Sequence, residues 1–250
     1  MSRLARFAPA AAAIAVVGGA ARADPAPADL HGAAPYGPPV ADEHIWAHGI
    51  LDQFEGRLAG GDTGLRWDGE AWAGPDEWRV TLKSEGEATR GRVSDGQTEA
   101  FYSKPISTYF DLQVGGRYDL DSGPGRGWGA IGIEGLAPGF FKVAATAYAG
   151  GHGFAGKVMA SYDQLLTNRL ILEPEAEVNL YSQDDPARKI GSGFSDLDAG
   201  LRLRYEITRK FAPYVGVAWE RKFGRTAELA RAAGEPGADV RLTLGVRAWF

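Results

Sequence analysis

His44 and His48, four residues apart and next to Asp42 and Glu43, are the pair in this chain best suited to hold a metal ion. Imidazoles at i and i+4 share one face of a helical turn, where both can reach a common ion. The set is incomplete: two nitrogens and a carboxylate leave coordination open, and no H-E-x-x-H pattern surrounds them. A second candidate is the row Glu173, Glu175 and Glu177. On a strand this spacing lines three carboxylates along one face, and hard oxygen ligands bind or conduct cations. Met159, the one methionine besides Met1, is a soft thioether donor of the kind Cu(I) accepts.

Catalysis has little to build on. The chain has no cysteine, which removes thiolate nucleophiles and zinc or haem attachment motifs. His31 lies in a Pro/Ala-rich stretch, so His152 is the one imidazole in the main body; Ser161 is near it in sequence, but no third group orients the pair. No glycine-rich phosphate loop joins a strand to a helix. A non-enzymatic protein is expected.

The elements that must position these residues are strands. In the last segment Leu242, Leu244, Val246, Ala248 and Phe250 alternate with Arg241, Thr243, Gly245, Arg247 and Trp249. An apolar face opposite one with two arginines needs a dry medium outside and a wet one inside, which a transmembrane β-barrel supplies. Phe110 to Asp119 and Leu197 to Glu206 alternate in the same way. Twelve strands are expected near 50–60, 64–74, 77–86, 96–104, 107–119, 127–135, 139–150, 153–163, 169–181, 195–207, 211–222 and 239–250, an antiparallel all-β barrel. Very short turns should alternate with longer loops, chiefly 120–126, 182–194 and 224–238, which would face the exterior. Trp67, Trp128, Tyr162, Trp219 and Phe250 are candidates for the aromatic girdles. A soluble β-sandwich also alternates and is the competing fold.

The start of the chain agrees with export. Arg3 and Arg6 precede the apolar run 7–19, and Ala21-Arg22-Ala23 is a small-x-small cleavage site, so residues 1–23 read as a signal peptide. Residues 24–44 read as a Pro/Ala-rich periplasmic linker that passes through one helical turn into strand near Ile50; residues 45–250 form the barrel. The leader carries three arginines and no acid, so a formal net charge of −5 becomes −8 on processing, which argues against a nucleic-acid partner. Inside such a barrel Arg57, Arg66, Arg79, Lys83, Arg117, Lys142 and Lys157 share the inward parity with Glu173, Glu175, Glu177, Asp196 and Asp198. A lumen filled by paired charges is the structural reading of those acids, set against a cation path.

Several stretches resemble the outer-membrane copper resistance protein B family: LKSEGE from Leu82, FYSKPI from Phe101, YFDLQVGGRYD from Tyr109, LLTNRLILEPEAEVNLYSQDDP from Leu165, IGSGFSDLDAGLRLRYEI from Ile190 and RKFAPYVGVAWERKFG from Arg209. The resemblance runs from Ile45 to Phe250. It implies an outer-membrane protein of a copper-tolerance system that binds, sequesters or helps export copper ions beside a periplasmic multicopper oxidase. Family members carry a Met- and His-rich segment ahead of the barrel; here that stretch holds His31 and no Met, which shifts the expected copper ligands to His44, His48, Met159 and the lumen acids. A monomeric barrel in outer-membrane lipid is expected, with copper as cargo. The alternatives are a general small-solute or cation channel on the same scaffold, and an adhesive barrel acting through loop 224–238.

Overall fold

The computed structural model describes residues 44–59, 62–89, 91–120 and 125–250. The expected signal peptide and the expected linker as far as Glu43, with His31, lie outside the described residues. Alternating sequence gives strand after strand: β1 (Trp46–Ala59), β2 (Asp62–Gly74), β3 (Arg79–Thr89), β4 (Arg92–Pro105), β5 (Phe110–Asp119), β6 (Arg126–Ala137), β7 (Phe141–Gly150), β8 (Gly153–Ser161), β9 (Gln164–Leu165), β10 (Leu170–Tyr181), β11 (Gly193–Tyr205), β12 (Phe211–Lys222) and β13 (Ala238–Trp249), with one helix, α1 (Gly224–Ala232). Each strand pairs antiparallel with its neighbours, and β13 closes on β1 in the register Leu58↔Leu242 and Arg57↔Thr243. Closure leaves no unpaired sheet edge among the described residues.

β8 and β9 form one stave, so the barrel has twelve, as the alternation predicts. The break between them lies opposite Pro174 of β10, which has no N–H to donate to the ladder. Tyr162 instead donates its backbone N–H to the Pro174 carbonyl at 3.1 Å, and the strand expected to run to residue 163 stops at Ser161. Asp163, freed from the ladder, meets Lys142 and Arg204 at 2.9 and 3.1 Å.

The turns on the side where β1 begins and β13 ends are short throughout. On the other side the connections after β5, β10 and β12 are long, as expected, whereas β7 and β8 are joined by Gly151 and His152 alone. The loop after β10 is ordered by Asp184, whose carboxyl is held below its usual range because it accepts the Ser192 backbone N–H at 2.7 Å. Helix α1 packs against β11 through Thr226, whose hydroxyl accepts the Gly191 N–H and bonds Ser195.

The fold is apolar outside and polar inside. Val80, Leu82, Val114, Ile131, Val158, Leu201, Val215, Val240, Leu242 and Leu244 are exposed, while Gln53, Glu55, Arg57, Glu99, Arg117, Glu173, Arg202 and Arg204 are buried. Such an exterior is suited to hydrocarbon rather than water. Trp78 stacked on Tyr102, with Tyr109, Phe140, Phe141 and Phe250, forms the girdle at the short-turn end. Trp128 does not belong to a girdle: it is only 5% exposed, lies on the lumen face of β6, and donates its indole N–H to Asp119 at 3.0 Å. The parity of β6 points Trp128 inward with Arg126 and Ala130, and the buried carboxylate gives the indole a partner. Where Tyr214 meets Glu55, Gly245 leaves the room; a Cβ there would fall 2.6 Å from the Tyr214 ring and hydroxyl.

Leu244 sits in the middle of β13, 62% exposed, between Gly56 and Val215. Leu244→Arg is expected to destabilise the barrel by about 2–4 kcal/mol in a bilayer, the cost of a cation at the midplane. Urea unfolding in lipid vesicles would check it; an unchanged midpoint would mean that this face is not in contact with hydrocarbon.

Candidate metal site

β1 contains two consecutive polar residues, Asp52 and Gln53, and the strand is irregular there. Both side chains turn inward: Asp52 accepts from Arg247 of β13, and Gln53 bonds Glu175 of β10 at 2.9 Å and accepts from Arg202 at 2.9 Å. A bulge of this kind flips the parity of whatever precedes it. On one side of it Glu55 and Arg57 face the lumen; on the other Trp46 and His48 do.

His48 therefore enters the mouth of the barrel at the short-turn end. Its ring stacks between two indoles, that of Trp72 on β2 at 5.9 Å and 17° and that of Trp249 on β13 at 5.6 Å and 22°. Cations flank the sandwich, with the Arg79 guanidinium 5.0 Å over Trp72 and the Lys210 ammonium 5.1 Å over Trp249. Among the described residues neither ring nitrogen of His48 has a hydrogen-bond or ion-pair partner. The imidazole is thus gripped by its faces while its in-plane lone pair stays available, the arrangement a metal ligand needs.

His44 lies just before β1, with its ring edge-on to Trp46 at 4.6 Å. The expected helical turn is not formed. Trp46, Ala47 and His48 pair with Gly74, Ala73 and Trp72 of β2, and the ladder satisfies the backbone in extended form. Four extended residues span about 13 Å, so His44 and His48 do not share one ion in this conformation.

The three acids on β10 line the lumen as their spacing implies, in register with β11: Glu173 opposite Arg202 and Glu177 opposite Asp198. Cations and amides hold them. Glu173 pairs with Arg204 and faces Lys142 at 3.9 Å, Glu175 pairs with Arg202 at 3.3 Å, and Glu177 accepts from Asn179 at 2.9 Å. Met159 lies opposite Glu177 on β10 and Ala144 on β7. Among the described residues no group of three or more His, Asp or Glu side chains is arranged to hold a metal. Ser161 and His152 stand at opposite ends of β8, about 30 Å apart at the rise of a strand.

The acids sit in a network that crosses the lumen. Glu85 of β3 meets Lys157 of β8 at 2.8 Å, a bridge between strands nearly opposite each other in the twelve-stave ring. Lys83 of β3 pairs with Glu134 of β6, and Glu99 of β4 accepts from Tyr148 of β7 at 2.5 Å. Toward the β1 side, Glu55 accepts from Arg57, Arg202 and Tyr214 at 2.8, 3.1 and 3.0 Å. Glu55, Tyr214 and the two stacking indoles were not candidates on sequence grounds; the adjacent polar pair Asp52-Gln53 is the signal that locates the bulge.

The family model described as Copper resistance protein B precursor (CopB) matches residues 45–250. The chain is 43% identical over 212 residues to the Copper resistance protein B homolog of Pseudomonas syringae pv. tomato (strain ATCC BAA-871 / DC3000), covering 84% of this chain and 72% of that one. It is 40% identical over 202 residues to Copper resistance protein B of Escherichia coli, covering 80% and 68%. Among solved structures the NanC porin aligns with a TM-score of 0.53 at 12% identity, covering 80% of this chain and 98% of that one, a likeness of fold alone.

Proposed function

The chain belongs to the copper resistance protein B family, an outer-membrane β-barrel with a role in copper resistance, and we propose from this premise that it acts by weak, exchangeable copper binding at its periplasmic mouth. The carrying observation is His48, held by its faces between Trp72 and Trp249 with its lone pair free. Imidazole is a ligand for both copper oxidation states. His44 is a second nitrogen beside the mouth rather than a partner on the same ion. Incomplete coordination suits hand-over more than storage, which is the step a copper-tolerance system needs next to a periplasmic multicopper oxidase. That partner rests on the family resemblance, and the monomeric state on the reading of the chain as one closed barrel.

A cation path along Glu173, Glu175 and Glu177 has less support, because each acid already has a partner in the lumen, Arg204, Arg202 and Asn179 respectively. Nor does anything favour a general solute channel, since Glu85 and Lys157 bridge the lumen across its middle.

Copper affinity of the detergent-solubilised chain, measured by chelator competition in both oxidation states, tests the reading. His48→Ala should weaken binding about tenfold or more, one lost nitrogen ligand being worth at least about 1.4 kcal/mol, and His44→Ala should do less. Equal affinity in wild type and the His44→Ala/His48→Ala variant would remove the mouth as the site.

A further inference from the structure

At the end of the barrel opposite His44 and His48, a pocket of about 730 Å³ opens between α1 and the outer ends of β12 and β13. Trp219, Arg221, Phe223 and Arg231 line it. By the alternation of β12, Trp219 and Arg221 share the lipid-facing side with Val215 and Val217, and Trp219 pairs across the ladder with Val240. Below the pocket runs the most exposed apolar column of the barrel, Val240, Leu242 and Leu244.

The charges at its rim are one-sided. Among the described residues neither Arg221 nor Arg231 has a carboxylate partner; Arg221 lies over the Phe223 ring at 5.1 Å, and both side chains are exposed. The single acid lining the pocket, Glu228, is engaged by Arg225 at 2.9 Å. Inside the lumen, by contrast, guanidinium groups are paired with acids: Arg57, Arg79, Arg117, Arg202, Arg204, Arg241 and Arg247 each meet a carboxylate. Two unpaired arginines around an aromatic-floored cavity, directly above a column of aliphatic side chains, make an amphipathic recess.

We infer that this recess binds a phosphorylated lipid of the outer leaflet, its phosphate between Arg221 and Arg231 and its acyl chains along Val240, Leu242 and Leu244. Guanidinium is the side chain best matched to a phosphate. The pocket has room for a headgroup larger than a bare phosphate. Trp219 supplies the interfacial aromatic that sits at headgroup depth. The site is independent of the copper reading.

Native mass spectrometry of the full chain in a neutral detergent, with lipid A as the probe, tests it. Three comparison arms are a chemically dephosphorylated lipid A, excess inorganic phosphate, and the control Arg209→Ala at the other end of the barrel. Wild type and R209A should each retain one lipid, and R221A/R231A should bind about thirtyfold more weakly, each arginine at a membrane surface being worth about a factor of five. Arg221→Lys/Arg231→Lys should recover part of the loss. The dephosphorylated lipid should not be retained, and inorganic phosphate should not displace the phosphorylated one. Equal retention by R221A/R231A with the gel mobility of a folded barrel, equal retention of the dephosphorylated lipid, or displacement by inorganic phosphate would each overturn the proposal. The lipid arms use wild type alone, so they decide the matter even where the double variant does not fold.

Discussion

Glu55→Ala is expected to destabilise the barrel by about 3 kcal/mol, the largest effect of any single truncation in the lumen. Glu55 is fully buried, 0% exposed, and accepts from Arg57, Arg202 and Tyr214. Removing one partner of a buried ion pair costs about 3–5 kcal/mol because the opposite charge is left uncompensated. The lower end applies here. Arg57 keeps Asp198 at 3.3 Å and Glu87 at 3.5 Å, and Arg202 keeps Gln53 and Glu175. Glu55→Gln retains an acceptor of the same shape and should cost less, while Tyr214→Phe deletes one hydrogen bond to a charged group, about 1.5–3 kcal/mol. Urea unfolding in lipid vesicles reads all three. If the alanine and glutamine variants unfold at the same midpoint as wild type, the network around Glu55 contributes packing and no net electrostatic stability.

The second expectation concerns the bridge across the lumen. Lys157→Ala leaves Glu85 with Gln97 as its remaining hydrogen-bond donor and should cost about 1–3 kcal/mol, since both groups are only partly buried. Glu85→Ala/Lys157→Ala removes both charges, and the double variant should be more stable than the sum of the single losses implies. Its functional effect is larger. Wild-type barrels in liposomes should hold sugars for as long as protein-free liposomes do, and the double variant should leak them, because the side chains that join nearly opposite walls are gone. Sugar leakage from wild type at the rate of an open porin would instead revive the general-channel alternative.

Both expectations depend on a lumen whose contents were partly legible in the chain. Period-two alternation needs no tertiary information: Leu242, Leu244 and Val246 against Arg241, Thr243 and Gly245 define two faces whatever the strand's neighbours are. The same parity placed Lys83, Arg117, Lys157 and the β10 acids inside, and the network now found among them is the filled-lumen reading. Trp128 went the other way. A tryptophan near a strand end reads as an interface anchor, and only the β5–β6 register brings Asp119 within reach of its indole. His44 and His48 show the limit of local reasoning most clearly, because an i,i+4 pair describes a helical turn and says nothing of whether β2 will recruit the segment into its ladder.

From sequence alone, this protein is determined to be an all-β barrel of twelve staves, apolar outside and charged inside, because a strand's two faces are written residue by residue. Family membership is written there too, in long contiguous motifs. What tertiary structure decided is which groups meet. The bulge at Asp52 and Gln53 reverses the parity of the segment before it and turns His48 into the mouth. Closure of β13 on β1, with β2 on the other side, then places an indole against each face of that imidazole. Residues as far apart as Trp72 and Trp249 become neighbours through the ring's closure, which no local pattern encodes, and the chemistry of the mouth depends on it.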